Sequence, residues 1–146
     1  MALRDHVSIA RRFQRAIRID SDLRDPQALE GFICPPSSAE VLIAMGRHVA
    51  ETGQSAFTWT GPYGSGKSSL VIALSALLSG EQKKRLRAAQ IVGRRTANRL
   101  WKLLPPKSKG WRVLPVIGQR EAPAVVIGNA LVSAGVASKP KRGGWN

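Results

Sequence analysis

Residues 55–74 read SAFTWTGPYGSGKSSLVIAL, and this stretch constrains the fold of the chain more than any other. A short β-branched and aromatic run, SAFTWT, leads into GPYGSG and then into the apolar run LVIALSALL. That order predicts a strand over 55–60, a tight loop over 61–66 and a helix from Lys67 to Ser79. The helix is apolar nearly all round, so it is expected to be packed inside a domain.

The segment GPYGSGKSS (61–69) has the spacing G-x-x-x-x-G-K-S. Gly61 lets the chain turn sharply off the strand. Gly64 and Gly66 allow conformations and close approaches that a Cβ would block, so that backbone N–H groups can converge on phosphate oxygens. The helix start adds unpaired N–H groups and the positive end of its dipole. Nucleotide contacts are therefore expected from Gly61, Pro62, Tyr63, Gly64, Ser65, Gly66, Lys67, Ser68 and Ser69. Lys67 would reach the β- and γ-phosphates, the Ser68 hydroxyl would bind Mg²⁺, and Ser69 is placed for the α-phosphate. Tyr63 either touches base or ribose or is an exposed loop-tip residue.

Hydrolysis requires a carboxylate to hold Mg²⁺ through water and a group to orient the attacking water. After the loop the chain offers two acids, Glu81 and Glu121. Glu81 looks like a helix-start residue. Glu121, in GQREAP, is either a catalytic carboxylate or a helix-start residue favoured by the dipole. Neither follows four apolar residues in the way a metal-holding acid does. No Asp occurs after position 25, so the Asn-Lys-x-Asp reader of a guanine-specific GTPase is absent. No metal-ligand cluster and no Ser-His-Asp or Cys-His constellation is visible.

Charge is distributed unevenly along the chain. Its 146 residues carry a net charge of +14. Residues 1–80 hold eight Lys/Arg against seven Asp/Glu, whereas residues 81–146 hold fifteen against two. A field of that sign attracts phosphate polyanions and suggests a nucleic-acid partner; the plain alternatives are a solvated helical surface or a face for another part of a larger protein. The single cysteine, Cys34, excludes an internal disulfide and reads as a small buried residue suited to a reducing compartment. MALRDHVSIARRFQ lacks the apolar run of a signal peptide, and APAVVIGNALVSAGVAS (122–138) falls short of a bilayer span, so a cytoplasmic location without membrane contact is expected.

Residues 1–36 read as a lead-in, with a short strand in FQRAIRID, where Ile17 and Ile19 alternate with charge, and a helix in DPQALEG (25–31). CPPS (34–37) is a stop. A helix is predicted over 37–52, with Val41, Leu42, Met45 and Val49 as its buried face and His48 structural or exposed beside it. In the basic insert 81–110, helices are predicted over 81–92 and 94–104. The second has an apolar stripe of Ala97, Leu100, Trp101 and Leu104 opposite Arg94, Arg95, Arg99 and Lys102. WRVLPVIG (111–118) reads as a second strand, residues 123–136 as a helix, and 139–146 as a basic tail.

The loop GPYGSGKSS resembles the Walker A motif, G-x-x-G-x-G-K-S/T, of the AAA and related additional-strand P-loop ATPases. More loosely, residues 10–136 look like the N-terminal part of large bacterial ATP-binding proteins of the BREX phage-defence type. The resemblance implies an α/β fold with a parallel sheet, formed in part by residues 37–138, and ATP with Mg²⁺ as ligands. In that group the Walker B carboxylates lie on the third strand in chain order. The chain stops about where that strand should begin. The expected function is thus ATP binding by the truncated or split N-terminal portion of a larger ATPase, with Walker B supplied by a missing segment or a partner chain. The alternative is a basic nucleic-acid-binding module with a vestigial phosphate loop, its cations including Lys83, Lys84, Arg85, Arg87, Arg94 and Arg95. A third reading is a chain that is not stably folded, since a two-stranded core with an open edge is poorly covered.

Overall fold

A computed structural model describes residues 16–25, 27–118 and 120–138. The chain divides into two compact units, residues 1–111 and 112–146. The first contains α1 (Ile19–Asp22), α2 (Pro36–Thr52), α3 (Lys67–Leu77), α4 (Gln82–Val92) and α5 (Arg94–Leu103), and the second contains α6 (Pro123–Ser133). The basic tail and the first residues of the lead-in lie outside the described residues.

The described residues form no sheet, which overturns the expected α/β, partial P-loop fold with parallel strands. Residues 55–60 and 111–118 are irregular and have no ladder partner among the described residues. The one β pairing among the described residues is an isolated antiparallel bridge between Ser79 and Gly110. β-branched and aromatic side chains favour an extended backbone, but a strand exists only when a second segment lies at hydrogen-bonding distance. Among the described residues no segment lies beside 55–60 in that way, and residues 53–65 are exposed apart from Trp59.

Two smaller expectations in the lead-in also change. Ile19 opens the four-residue helix α1 instead of belonging to a strand. The buried Asp22 carboxylate accepts hydrogen bonds from the Arg18 N–H at 2.9 Å and the Ser21 hydroxyl at 3.0 Å, closing this turn locally. Residues 27–31 form turns and not a helix; the Gln27 N–H donates to Asp25 Oδ1 at 2.8 Å, an Asx turn. Pro26, within the helix expected over 25–31, is outside the described residues.

The helices of the first unit pack in pairs, α2 on α5, α3 on α4, α4 on α5 and α1 on α3. Leu42 of α2, Leu77 of α3 and Leu100 of α5 are fully buried members of one core cluster. Small side chains bring the axes together: Ala73, Ala88, Ala89 and Ala97 are all buried. The α2 face is turned from the expected one. Leu42, Ile43 and Gly46 are buried, Met45 and Val49 pack at the margin, and Val41 is 41% exposed. The reason is Gly46, where a Cβ would lie 3.0 Å from Leu100 Cδ1; α5 approaches over this low point. On α5 the expected stripe is borne out, with Ala97, Leu100 and Leu104 buried and Trp101 packed against the core.

No residue of α3 is exposed. Its last carbonyls therefore need protein partners rather than water. The Trp101 indole donates to Leu77 O at 2.9 Å, the Trp111 N–H to Leu78 O at 2.9 Å, and the Arg85 guanidinium to Ser79 O at 2.6 Å and Gly80 O at 2.9 Å. The chain returns here through Gly110 (φ 70°), so close that a Cβ on Gly110 would collide with the Ser79–Gly80 backbone and one on Gly80 with the Lys109 carbonyl.

α6 has Pro123 at its first position and ends in a double turn, with the Gly135 N–H on Val132 O and the Val136 N–H on Leu131 O, both at 2.9 Å. This arrangement stops the helix at Ser133, three residues before the expected end.

Gly110→Ala should destabilise the protein by at least about 2 kcal/mol, because it adds a disfavoured φ to a backbone collision. A urea melt reads this as a lower midpoint at unchanged slope.

Candidate functional site

The loop ahead of α3 is built from local chemistry. The Ser65 N–H donates to Pro62 O at 3.3 Å, closing a turn over residues 62–65. Gly64 and Gly66 both have φ 79°, a backbone that side-chain-bearing residues rarely adopt. Gly66 is the N-cap of α3, and the Leu70 N–H is on its carbonyl at 2.9 Å. No side chain caps the helix. By helix geometry, the N–H groups of Lys67, Ser68 and Ser69 have no intrahelical acceptor.

Lys67 folds back over this loop. Its ammonium donates to Gly61 O at 2.9 Å, Pro62 O at 2.7 Å and Ser65 Oγ at 3.2 Å. Gly61 is needed where the loop closes on itself, since a Cβ there would stand 3.1 Å from Ser65 Oγ. On the other side the Phe32 ring backs the loop, 3.5 Å from where a Cβ on Gly66 would be. A cation, a helix N-terminus and backbone curved by glycine thus share one place. No Asp or Glu occurs in the sequence between Glu51 and Glu81. That composition favours an anion.

The expected site residues separate by exposure. Gly61, Pro62, Tyr63, Gly64 and Ser65 are exposed, with Tyr63 at 96%. Gly66, Lys67 and Ser68 are half-buried, and Ser69 is buried. Glu121 is exposed two residues before Pro123, in the second unit. Glu81 is the N-cap residue of α4 and pairs with Lys84 at 3.0 Å. Among the described residues no group of three or more His, Cys, Asp or Glu could hold a metal ion. Ser68 is a single hydroxyl, a donor that suits Mg²⁺ only where phosphate oxygens and water complete the shell.

Two other titratable residues have structural surroundings. His48 is exposed; its Nε2 lies 3.3 Å from Gln54 Oε1, and its ring meets Phe57 edge-on at 5.7 Å. Cys34 is partly buried, its thiol 3.7 Å from Pro35 O, and burial pushes its pKa up.

The structure also groups residues that sequence reasoning left apart. Arg47 of α2 lines a shallow groove with Thr96 and Arg99 of α5, with Glu40 in the same lining. Their separation in the chain hides this proximity; the signal was the repeat of charge on the outward face of each helix. Conversely, Arg85 leaves the set of free cations, because it is bound to the end of α3.

Comparison of the chain with protein-family models, curated proteins and solved structures finds no match. Among the described residues, no helix is long and apolar enough to cross a membrane.

Cys34 should alkylate several-fold more slowly at pH 8 in the native protein than in urea, because the reactive thiolate is the form that burial disfavours. A thiol whose folded pKa is raised holds its proton longer when folded, so its contribution is full below the unfolded pKa and is lost as pH rises through the folded one. Timed mass spectrometry after iodoacetamide measures the first effect.

Proposed function

We propose that the protein binds a nucleoside triphosphate with Mg²⁺ through residues 61–69. The observation that carries this reading is the Lys67 ammonium, held over a glycine-shaped loop at the uncapped start of α3. Phosphate oxygens would compete with Gly61 O and Pro62 O for that ammonium, and the N–H groups of the first α3 turn would receive the remaining charge. Ser68 would supply a hydroxyl ligand to Mg²⁺. Ser69, being buried, would contribute through its backbone N–H. The reading rests on this local chemistry and not on a sheet-based fold.

The proposal is of binding alone. The 61–69 loop has no neighbouring acid in sequence, and Glu81 is engaged with Lys84. A carboxylate for hydrolysis would have to come from elsewhere in the chain or from a partner.

Isothermal titration with Mg-ATP, and with Mg-tripolyphosphate to isolate the phosphate contribution, tests the proposal. Lys67→Ala should weaken both ligands at least tenfold, the loss of a charge-assisted contact of about 1.5–3 kcal/mol. For the wild type, ligand at one hundred times Kd should raise stability by about 2.7 kcal/mol. Equal affinity in wild type and variant would refute the assignment.

A further inference from the structure

The outer face of α5 is more basic than its own folding can explain. Arg94, Arg95, Arg99 and Lys102 are all exposed, while Ala97, Leu100 and Leu104 are buried on the opposite side. At 100° per residue the four cations span an arc of roughly 140°. None of them forms an ion pair or side-chain hydrogen bond among the described residues. No Asp or Glu occurs between Glu81 and Glu121, so the helix carries no counter-charge of its own.

This placement works against the helix. Arg94 and Arg95 occupy the first turn, at the positive end of the dipole, and no acid accompanies them there. Arg95 and Arg99 stand four residues apart as like charges. Each such conflict costs a few tenths of a kcal/mol to about 1 kcal/mol. Charge that opposes local stability and has no internal partner is expected where an external polyanion supplies the compensation. Arg47 adds a fifth exposed cation in the groove that it lines with Arg99 between α2 and α5, against the single acid Glu40 there.

We infer that this face, the four α5 cations with Arg47, binds the sugar-phosphate backbone of a nucleic acid. The evenly spaced phosphates of such a chain match cations repeated over successive helical turns. The face offers no stacking platform: Trp101 is half-buried and its indole N–H is used on Leu77 O. Recognition is therefore of backbone charge and not of base sequence. The inference is independent of nucleotide binding at residues 61–69.

A fluorescence-anisotropy titration of the full chain against a short mixed-sequence DNA duplex tests it, with single-stranded DNA and RNA as parallel arms that identify the preferred strand form. Five phosphate contacts give a log–log salt slope of about −4.5, so duplex affinity should fall roughly 500-fold between ~50 and ~200 mM salt. Replacing Arg94, Arg95, Arg99 and Lys102 together by Gln should weaken binding at least about tenfold at low salt and remove about 3 to 4 from the slope. The matched control, with Lys83, Arg87, Lys107 and Lys109 changed to Gln, should retain most of the affinity and slope. Arg99→Glu alone should weaken binding more than Lys83→Glu, a comparison that needs no multiple substitution. Lys67→Ala should leave duplex binding unchanged, which separates this surface from the nucleotide loop. Equal losses in the α5 and control sets, or poly-glutamate or anionic vesicles binding as tightly as the duplex, would overturn the proposal.

Discussion

The carboxyl end of α3 is the point on which the first unit depends. α3 has no exposed residue, so its final carbonyls cannot turn to water. An unpartnered buried carbonyl costs on the order of 1–3 kcal/mol, and here the buried Leu77 and Leu78 are followed by the half-buried Ser79 and Gly80. Trp101, Trp111 and Arg85 supply the donors, and each comes from a different segment. Satisfying one helix end therefore fixes the positions of α4, α5 and the return at Gly110 together. The close crossing of Gly80 and Gly110 is a consequence: the Trp111 N–H reaches Leu78 O only if the two backbones nearly touch.

The opposite end of the same helix has the reverse character. There the N–H groups are left without a side-chain cap, the backbone is bent by glycine, and Lys67 adds a positive charge. One helix thus has a saturated end that holds the core and an unsaturated end that suits an anion. α5 repeats this division across its width instead of its length. Its inner side supplies Leu100 and the Trp101 indole to the core, and its outer side gathers cations that form no ion pair among the described residues.

Much of the local structure was legible in the residues. The helices α2, α3, α4 and α5 lie close to the predicted spans because their apolar residues recur at helical spacing. The start of α3 at Lys67 follows from the glycines before it. The architecture was not legible. SAFTWT and WRVLPVIG have strand-like composition, yet neither finds a neighbour, and the predicted α/β sheet is absent from the described residues. Periodicity likewise located the stripe on α5 but misjudged the face of α2, where the approach of Leu100 over Gly46 sets which residues are covered. The 61–69 loop was readable because its features are local. The groove shared by Arg47 and Arg99 was not, because nothing in a linear pattern reports which helices become neighbours.

The sequence by itself determined where the longer helices α2 to α6 form, where glycine bends the chain, and that positive charge accumulates after residue 80. These properties depend on backbone preference and side-chain spacing over a few residues. The tertiary structure alone decided that the strand-like segments stay unpaired, that Arg85 serves the end of α3 while Arg99 remains free, and that Arg47 joins it. Those outcomes depend on hydrogen-bond demand and packing between distant residues, and local sequence does not encode them.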